Sequence, residues 1–436
     1  MKPLVRELND TLRQIRRDWF DYSLFFLQLL LVFGLIRQIS TDIFLVVNML
    51  LLFVLLIVKR KLRSISLLVT LSLLYFSIII LPIIKFGFEA RLYIGFYIRL
   101  ITAYFVALYF KDKFIVMYEN LLFLLAIISI PLYTIQIINI NFFRLFQPIT
   151  NTLLPLNLLN DPSPIGFKYL IVYLVNPGGL LRNSGFAWEP AAFGASLTWA
   201  VLFNLFLRKF QFNNRLIVFL IAALTTFSVG TYTYIAIFIS LFLYERRLSR
   251  QFFALISIVI VAIALTRLPL VRGQLNSMYD KIQSEPQNIE RSLAGVSRPQ
   301  SVSRVAGFYV NIKYFIKSPL GYGFADKSPE LAMVASSPNG LMHILVRWGI
   351  IGITLFLFAS YKLIFSLRTV YYRPLKGFSL FLSVILFIIP FTGNPFYNEP
   401  LLFAMLVLPF IKNSFKKPVQ KAYVKVPATD VPAFRF

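Results

Sequence analysis

The chain has 436 residues, 58% of them hydrophobic and 17% aromatic, with a formal charge of +26 and a mean hydropathy of +0.74. Soluble domains hold roughly 45–50% apolar residues in short runs. Here runs of about 17–22 residues recur, long enough to cross ~30 Å of hydrocarbon, so a soluble protein is excluded. The absence of cysteine excludes disulfides and thiolate chemistry, and a single histidine argues against haem, di-iron or zinc sites. The expected fold class is an all-α polytopic membrane protein with no metal and no cofactor.

In chain order, a charged, basic segment (residues 1–20) leads into the first apolar run. That run ends without a small-residue cleavage site and reads as a span rather than a signal peptide. About twelve spans are expected, near 21–38, 41–58, 64–84, 91–110, 115–137, 188–207, 215–229, 231–245, 252–267, 340–360, 376–392 and 398–412. The short pair around Ser228-Val229-Gly230-Thr231 reads equally as one broken hairpin. Residues 21–412 form one transmembrane domain and 413–436 a basic tail.

The charge does not call for nucleic acid, because the Lys and Arg residues gather in short loops and at the termini. KRKLR (59–63), KDK (111–113), RKFQFNNR (208–215), ERRLSR (245–250), the stretch from Lys362 to Lys376 and the tail from Lys412 all fall on the side of the N-terminus. The positive-inside rule makes that side cytoplasmic. Two long loops, 138–187 and 268–339, fall on the other side. FKYLIVYL in the first and VAGFYVNIKYFI in the second are expected to form short amphipathic segments against the membrane. No internal repeat of the kind many secondary transporters carry is present.

Ionisable residues near the extracytoplasmic ends of spans are the informative ones, since burying a charge is expensive unless it is paired. Arg182 and Glu189 precede a helix that Pro190 fits as its first residue. The plain reading is an interfacial arginine beside a helix start; the functional one has Arg182 binding an anion and Glu189 accepting a proton, in the company of Ser184, Gly185 and Trp188. Arg304 opens an apolar surface helix and reads either as an interfacial side chain or as a second anion contact. Tyr322 sits in the tight turn GYG, where glycine lets backbone approach a ligand. Asn339 reads as a helix cap or a polar contact, His343 as a packing residue or a catalyst, and Arg347, one turn further along, as a third anion contact or a partner for a carboxylate. Arg99 lies near mid-span, where a pairing or pathway role is expected. Glu399 is a turn residue or a carboxylate partner. Several arginines and few carboxylates at one face imply an anionic ligand, and arginine's planar fork suits phosphate. Phe186, Trp188, Tyr322 and Phe324 supply surfaces for a sugar ring.

Three stretches together resemble the O-antigen polymerase/ligase superfamily of Wzy-type polymerases and lipid-linked-glycan ligases. They are RNSGFAWEPAAFG (182–194), TTFSVGTYTYIAI (225–237), and RVAGFYVNIKYFIKSPLGYGF (304–324) followed by SPNGLMHILVRWGIIG (337–352). Ligases of this superfamily usually carry a His-Asn pair before the last of these helices and an arginine in the hairpin. Here Pro338-Asn339 takes the first place, with His343 four residues on, and the hairpin has no arginine. Both departures favour a polymerase and leave the identity of the general base open.

The resemblance implies metal-independent glycosyl transfer at the extracytoplasmic face of the bacterial inner membrane. Undecaprenyl-pyrophosphate-linked glycan would be both donor and acceptor, with a chain-length regulator and a flippase as further partners and no nucleic acid. Arg182 and Arg304 would hold the pyrophosphate and Glu189 the acceptor hydroxyl. Arg347, Trp188, Tyr322, Asn339, His343 and Arg99 would line the substrate path. A ligase of the same superfamily and a lipid-linked-oligosaccharide or anion transporter are the alternatives.

Overall fold

The computed structural model describes residues 2–34, 42–61, 65–146, 169–170, 172–175, 181–246, 283–284, 287, 304–324, 339–375, 377–393, 399–412 and 414–415. The expected span 252–267, most of both long loops and the tail from 416 lie outside them. The described part is almost wholly helical. Its helices are α1 (Lys2–Arg17), α2 (Trp19–Val32), α3 (Asp42–Val58), α4 (Ile65–Phe86), α5 (Ala90–Phe110), α6 (Phe114–Ile138), α7 (Pro190–Leu207), α8 (Asn214–Leu224), α9 (Val229–Arg246), α10 (Arg304–Lys317), α11 (Gly340–Tyr371), α12 (Gly377–Ile388) and α13 (Pro400–Val407). Among the described residues, four stretches are long and apolar enough to cross a membrane: Ile65–Phe86, Ala90–Ile138 (α5 and α6 in series), Pro190–Leu207 and Gly340–Tyr371.

Which helices lie inside follows from their side chains. α7 is 89% buried, carries small residues (Ala191, Ala192, Gly194, Ala195, Ser196) on its first turns, and packs against α6, α8, α9, α11 and α12. α4 is only 17% buried, and Ile65, Val69, Leu73, Phe76, Ile80 and Ile84 point outward along one stripe. An apolar stripe of that length facing outward is what lipid, not water, would cover. Between α2 and α3, Gln28 and Asn48 exchange two amide hydrogen bonds of 2.8 and 3.0 Å while both are buried. Such a pair fixes the register of two apolar helices that could otherwise slide.

One end of the bundle collects the basic loops. The Lys59 ammonium donates to Asp21 at 2.8 Å and also to the Tyr109 hydroxyl; Lys113 reaches Asp21 at 3.1 Å, and Lys61 donates to the Tyr109 carbonyl at 2.7 Å. The start of α2, the end of α3, the end of α5 and the start of α6 therefore meet. Arg215 at the start of α8 joins them through a buried network. Its guanidinium pairs with Glu119 of α6 and donates to Asn120 at 2.7 Å and to Thr11 of α1 at 2.6 Å. Asn204 of α7 donates to the same Glu119 carboxylate at 2.9 Å, and Phe210 packs on Tyr372 with ring centroids 4.8 Å apart. The loops at 59–61, 111–113, 208–215 and 372–375 and the N-terminal helix thus share one end, as their alternation along the sequence leads one to expect.

Three local features differ from the expectations. The described part of FKYLIVYL is an antiparallel two-residue hairpin, Tyr169–Leu170 with Tyr173–Leu174, not an amphipathic helix. Tyr173, Leu174 and Val175 are buried, and Tyr173 donates to Gln136 at 2.6 Å, so the segment folds into the bundle. The expected span at 340–360 continues to Tyr371 and breaks at Gly349, where φ is 63° and ψ is −161°. Past that break 22 residues remain, about 33 Å of helix. Finally, α8 has 11 residues, about 16 Å. It is too short to cross a bilayer alone, in keeping with the broken-hairpin reading of 215–245.

Candidate functional site

The segment Leu181–Glu189 runs through the interior before α7. Loops normally lie outside because their backbone groups need water; this one satisfies them from three helices and the hairpin. The Asn183 N–H donates to the Thr225 carbonyl at 3.0 Å, the Trp188 N–H to the Phe33 carbonyl at 2.7 Å, and the Leu174 N–H to the Gly185 carbonyl at 2.6 Å. Tyr133 of α6 donates to the Leu181 carbonyl at 3.2 Å. The Asn183 side chain bonds Thr225 Oγ1 at 2.8 Å and Ser129 Oγ at 3.3 Å, and its oxygen takes the Gly185 N–H at 2.9 Å. Gly185 sits at φ +51°, where an added Cβ would fall 2.6 Å from the Phe193 ring. The turn is therefore open to glycine alone.

This joint brings the first two sequence stretches together. Thr225 bonds Asn183, and a Cβ on Gly194 would collide with Thr231, so α7 and α9 touch backbone to side chain. Arg182 lies within electrostatic reach of Tyr232 and Glu189. Burial lowers the pKa of the Arg182 guanidinium, and Tyr232 and Glu189 offset part of that; an arginine remains charged throughout. Its Nε is buried with no hydrogen-bond partner, and so are Ser184 Oγ and Thr231 Oγ1, both on fully buried residues. An unmade bond to a buried polar group costs about 1–3 kcal/mol, more for a charged one. Three such atoms lie in the two stretches that pack together, an arrangement that a polar ligand would complete.

Glu189 is the residue before α7, in extended backbone, with Pro190 opening the helix. Its carboxylate does not cap that helix, so the position at the helix start does not by itself account for it. Trp188 is half-buried and tied down by its backbone to Phe33.

The third stretch forms a second joint. The turn after α10 lies in the break of α11: Tyr322 N–H donates to the Val346 carbonyl at 2.9 Å, Gly323 N–H to the Arg347 carbonyl at 2.9 Å, and Ile350 N–H to the Pro319 carbonyl at 2.9 Å. A Cβ on Gly321 would fall 2.5 Å from the Arg347 carbonyl oxygen, and one on Gly349 would strike Leu320 and Pro319. The spacing of these glycines is thus the record of two backbones in contact. Tyr322 stacks on Phe86 with centroids 4.9 Å apart, and the Arg347 guanidinium lies 4.7 Å from the centre of the Phe324 ring. Asn339 caps α11, its side chain accepting the Met342 N–H at 3.2 Å. His343 is buried one turn on. Arg99 is half-buried near the middle of α5. Arg304 begins α10, but its side chain lies outside the described residues, and so does its expected pairing with Arg182.

Beside the second joint an apolar groove of about 280 Å³ opens between α4, α5, α11 and α13, lined by Leu71, Tyr75, Phe96, Trp348, Phe356 and Phe403 among others. Sequence reasoning missed Tyr232, Thr231 and Asn183. The signal for them was in plain view, since hydroxyl and amide residues beside glycine inside apolar runs need a structural or ligand partner. The chain matches no family model, no curated protein and no solved structure.

Proposed function

We propose that the chain is a membrane glycosyltransferase that polymerises undecaprenyl-pyrophosphate-linked oligosaccharide repeat units, at the bilayer face opposite the basic end. The observation that carries this reading is the half-buried Arg182, whose buried Nε is unbonded, in a loop fixed by backbone bonds beside Thr231 and Tyr232. A guanidinium held this way supplies a preorganised donor for an anionic leaving group. In the transfer, the acceptor hydroxyl attacks C1 of the donor's terminal sugar. The bond from C1 to the pyrophosphate oxygen breaks, and undecaprenyl pyrophosphate leaves with the electron pair. Arg182 and Arg304 meet the charge that develops there; Glu189 takes or orients the hydroxyl proton. Arg347 and the aromatic rings of Trp188 and Tyr322 line the path, and the groove beside Trp348 offers an apolar slot for part of a polyprenyl tail. About twelve spans with both termini in the cytoplasm of a bacterial cell complete the reading.

The test is a surface-glycan gel profile from a deletion strain complemented with Arg182→Ala, Arg304→Ala or Glu189→Gln. Single-repeat glycan in place of a ladder is expected. Normal ladders from all three variants, at normal protein levels, would overturn the assignment. Long chains stranded on undecaprenyl in the deletion strain would identify a ligase instead.

A further inference from the structure

The N-terminal helix has two faces that ask for different partners. Glu7, Thr11 and Gln14, spaced three and four residues apart on one side, turn to the bundle. Glu7 lies 3.6 Å from Arg215, Thr11 accepts from Arg215, and Gln14 accepts from Asn120 at 3.1 Å; Leu4 and Ile15 pack beside them. The opposite side holds two adjacent stripes. Val5 and Leu12, seven residues apart, are 53% and 42% exposed, and Trp19, 64% exposed, follows at the start of α2. Next to them run Arg6, Arg13 and Arg16, all exposed. The helix sits at the basic end of the bundle and passes directly into α2 through Asp18 and Trp19.

We propose that this outer face is a binding surface for anionic phospholipid, in the leaflet at the basic end. Val5, Leu12 and Trp19 enter the boundary between headgroups and acyl chains, and Arg6, Arg13 and Arg16 hold the lipid phosphates. Three observations favour lipid over a protein partner. An apolar stripe flanked by arginines is the pattern of a helix lying in the membrane plane. Trp19 and the exposed Phe20 stand where the first span begins, the level at which aromatic rings mark a membrane interface. The docking of the inner face through Arg215 holds the helix against the bundle, so its outer face meets whatever surrounds the bundle at that level. The inference does not depend on the catalytic reading above.

The experiment uses the full chain reconstituted in phosphatidylcholine bilayers that contain a minority of brominated phosphatidylglycerol. Quenching of Trp19, taken as the difference between the native chain and Trp19→Phe, gives the preference of this surface for phosphatidylglycerol over phosphatidylcholine. Each arginine near an anionic surface contributes about a fivefold preference. The native chain should therefore favour phosphatidylglycerol strongly, the more so at low salt. The triple variant Arg6→Gln/Arg13→Gln/Arg16→Gln, whose changes face away from the bundle, should bring the preference close to one at unchanged thermal stability. A native preference near one overturns the proposal and leaves the face to an acidic protein partner. A preference that survives the triple variant overturns it too.

Discussion

Arg215→Met tests the buried network at the basic end. The Arg215 side chain is 6% exposed and its partner Glu119 is 2% exposed, so neither charge has water to fall back on. Removing one partner of a buried pair costs about 3–5 kcal/mol, because the other charge stays behind unmatched. In Arg215→Met, Glu119 keeps only the 2.9 Å bond from Asn204, while Thr11 and Asn120 lose their donor; a loss of about 4 kcal/mol follows. The double variant Glu119→Leu/Arg215→Met removes both charges. What then remains is the unmet amide and hydroxyl groups of Asn204, Asn120 and Thr11, neutral groups that each cost less than an unmatched buried charge. The double variant is thus expected to be more stable than Arg215→Met alone. The assay is unfolding of the purified full chain by sodium dodecyl sulfate in mixed micelles, with trypsin cleavage inside residues 2–17 as a second readout, since Thr11 and Glu7 hold α1 through Arg215. A cost below about 1 kcal/mol for Arg215→Met, or strictly additive costs in the double variant, would refute the reasoning.

Further outcomes follow from the joints and the register pair. Gly349→Ala and Gly321→Ala should each abolish the folded protein, seen as loss of a monodisperse peak in detergent, because the added carbon meets backbone. Gly377→Ala, at φ +52° with nothing within 4 Å, should remain folded at a cost of about 1–2 kcal/mol. Gln28→Leu should cost about 0.6–1.7 kcal/mol in dodecyl sulfate unfolding, and Gln28→Leu/Asn48→Leu should recover part of it; a double variant worse than Gln28→Leu would contradict the pairing. Arg182→Lys should reduce glycan chain formation by roughly 10²–10³, the same loss expected of Arg182→Ala, because a lysine has no planar fork and no Nε donor. Full activity in Arg182→Lys would mean that charge alone matters there.

Much of the architecture was legible from periodicity and punctuation. The apolar runs, the shared side of the basic loops and the helix starts at Pro190 and Asn339 are local properties, and local properties survive packing. Gly321 and Gly349 were visible as a spacing, but only the structure shows that each makes room for the other's backbone. What was not legible depends on pairs distant in the chain. Arg215 read as one more loop charge, since nothing near it in sequence announces Glu119 on another helix. The apolar run dips at Arg347-Trp348-Gly349, but such a dip does not by itself separate a broken helix from a continuous one. The hairpin at 169–174 looked like an amphipathic helix because Tyr169 and Tyr173 stand one helical turn apart in an apolar run without a turn signal; its place against Gln136 and Gly185 decides its form.

The Arg215–Glu119 pair also sets an order in time. Glu119 is made 96 residues before its partner, and at 5–20 residues per second the ribosome needs about 5–20 s to cover that distance. During this interval α6 is complete while its carboxylate has no counter-charge. Helices α1, α2, α6 and α7 can therefore gather only provisionally at the basic end until α8 delivers the guanidinium. Biogenesis of this protein passes through a window in which the fold itself offers Glu119 no counter-charge.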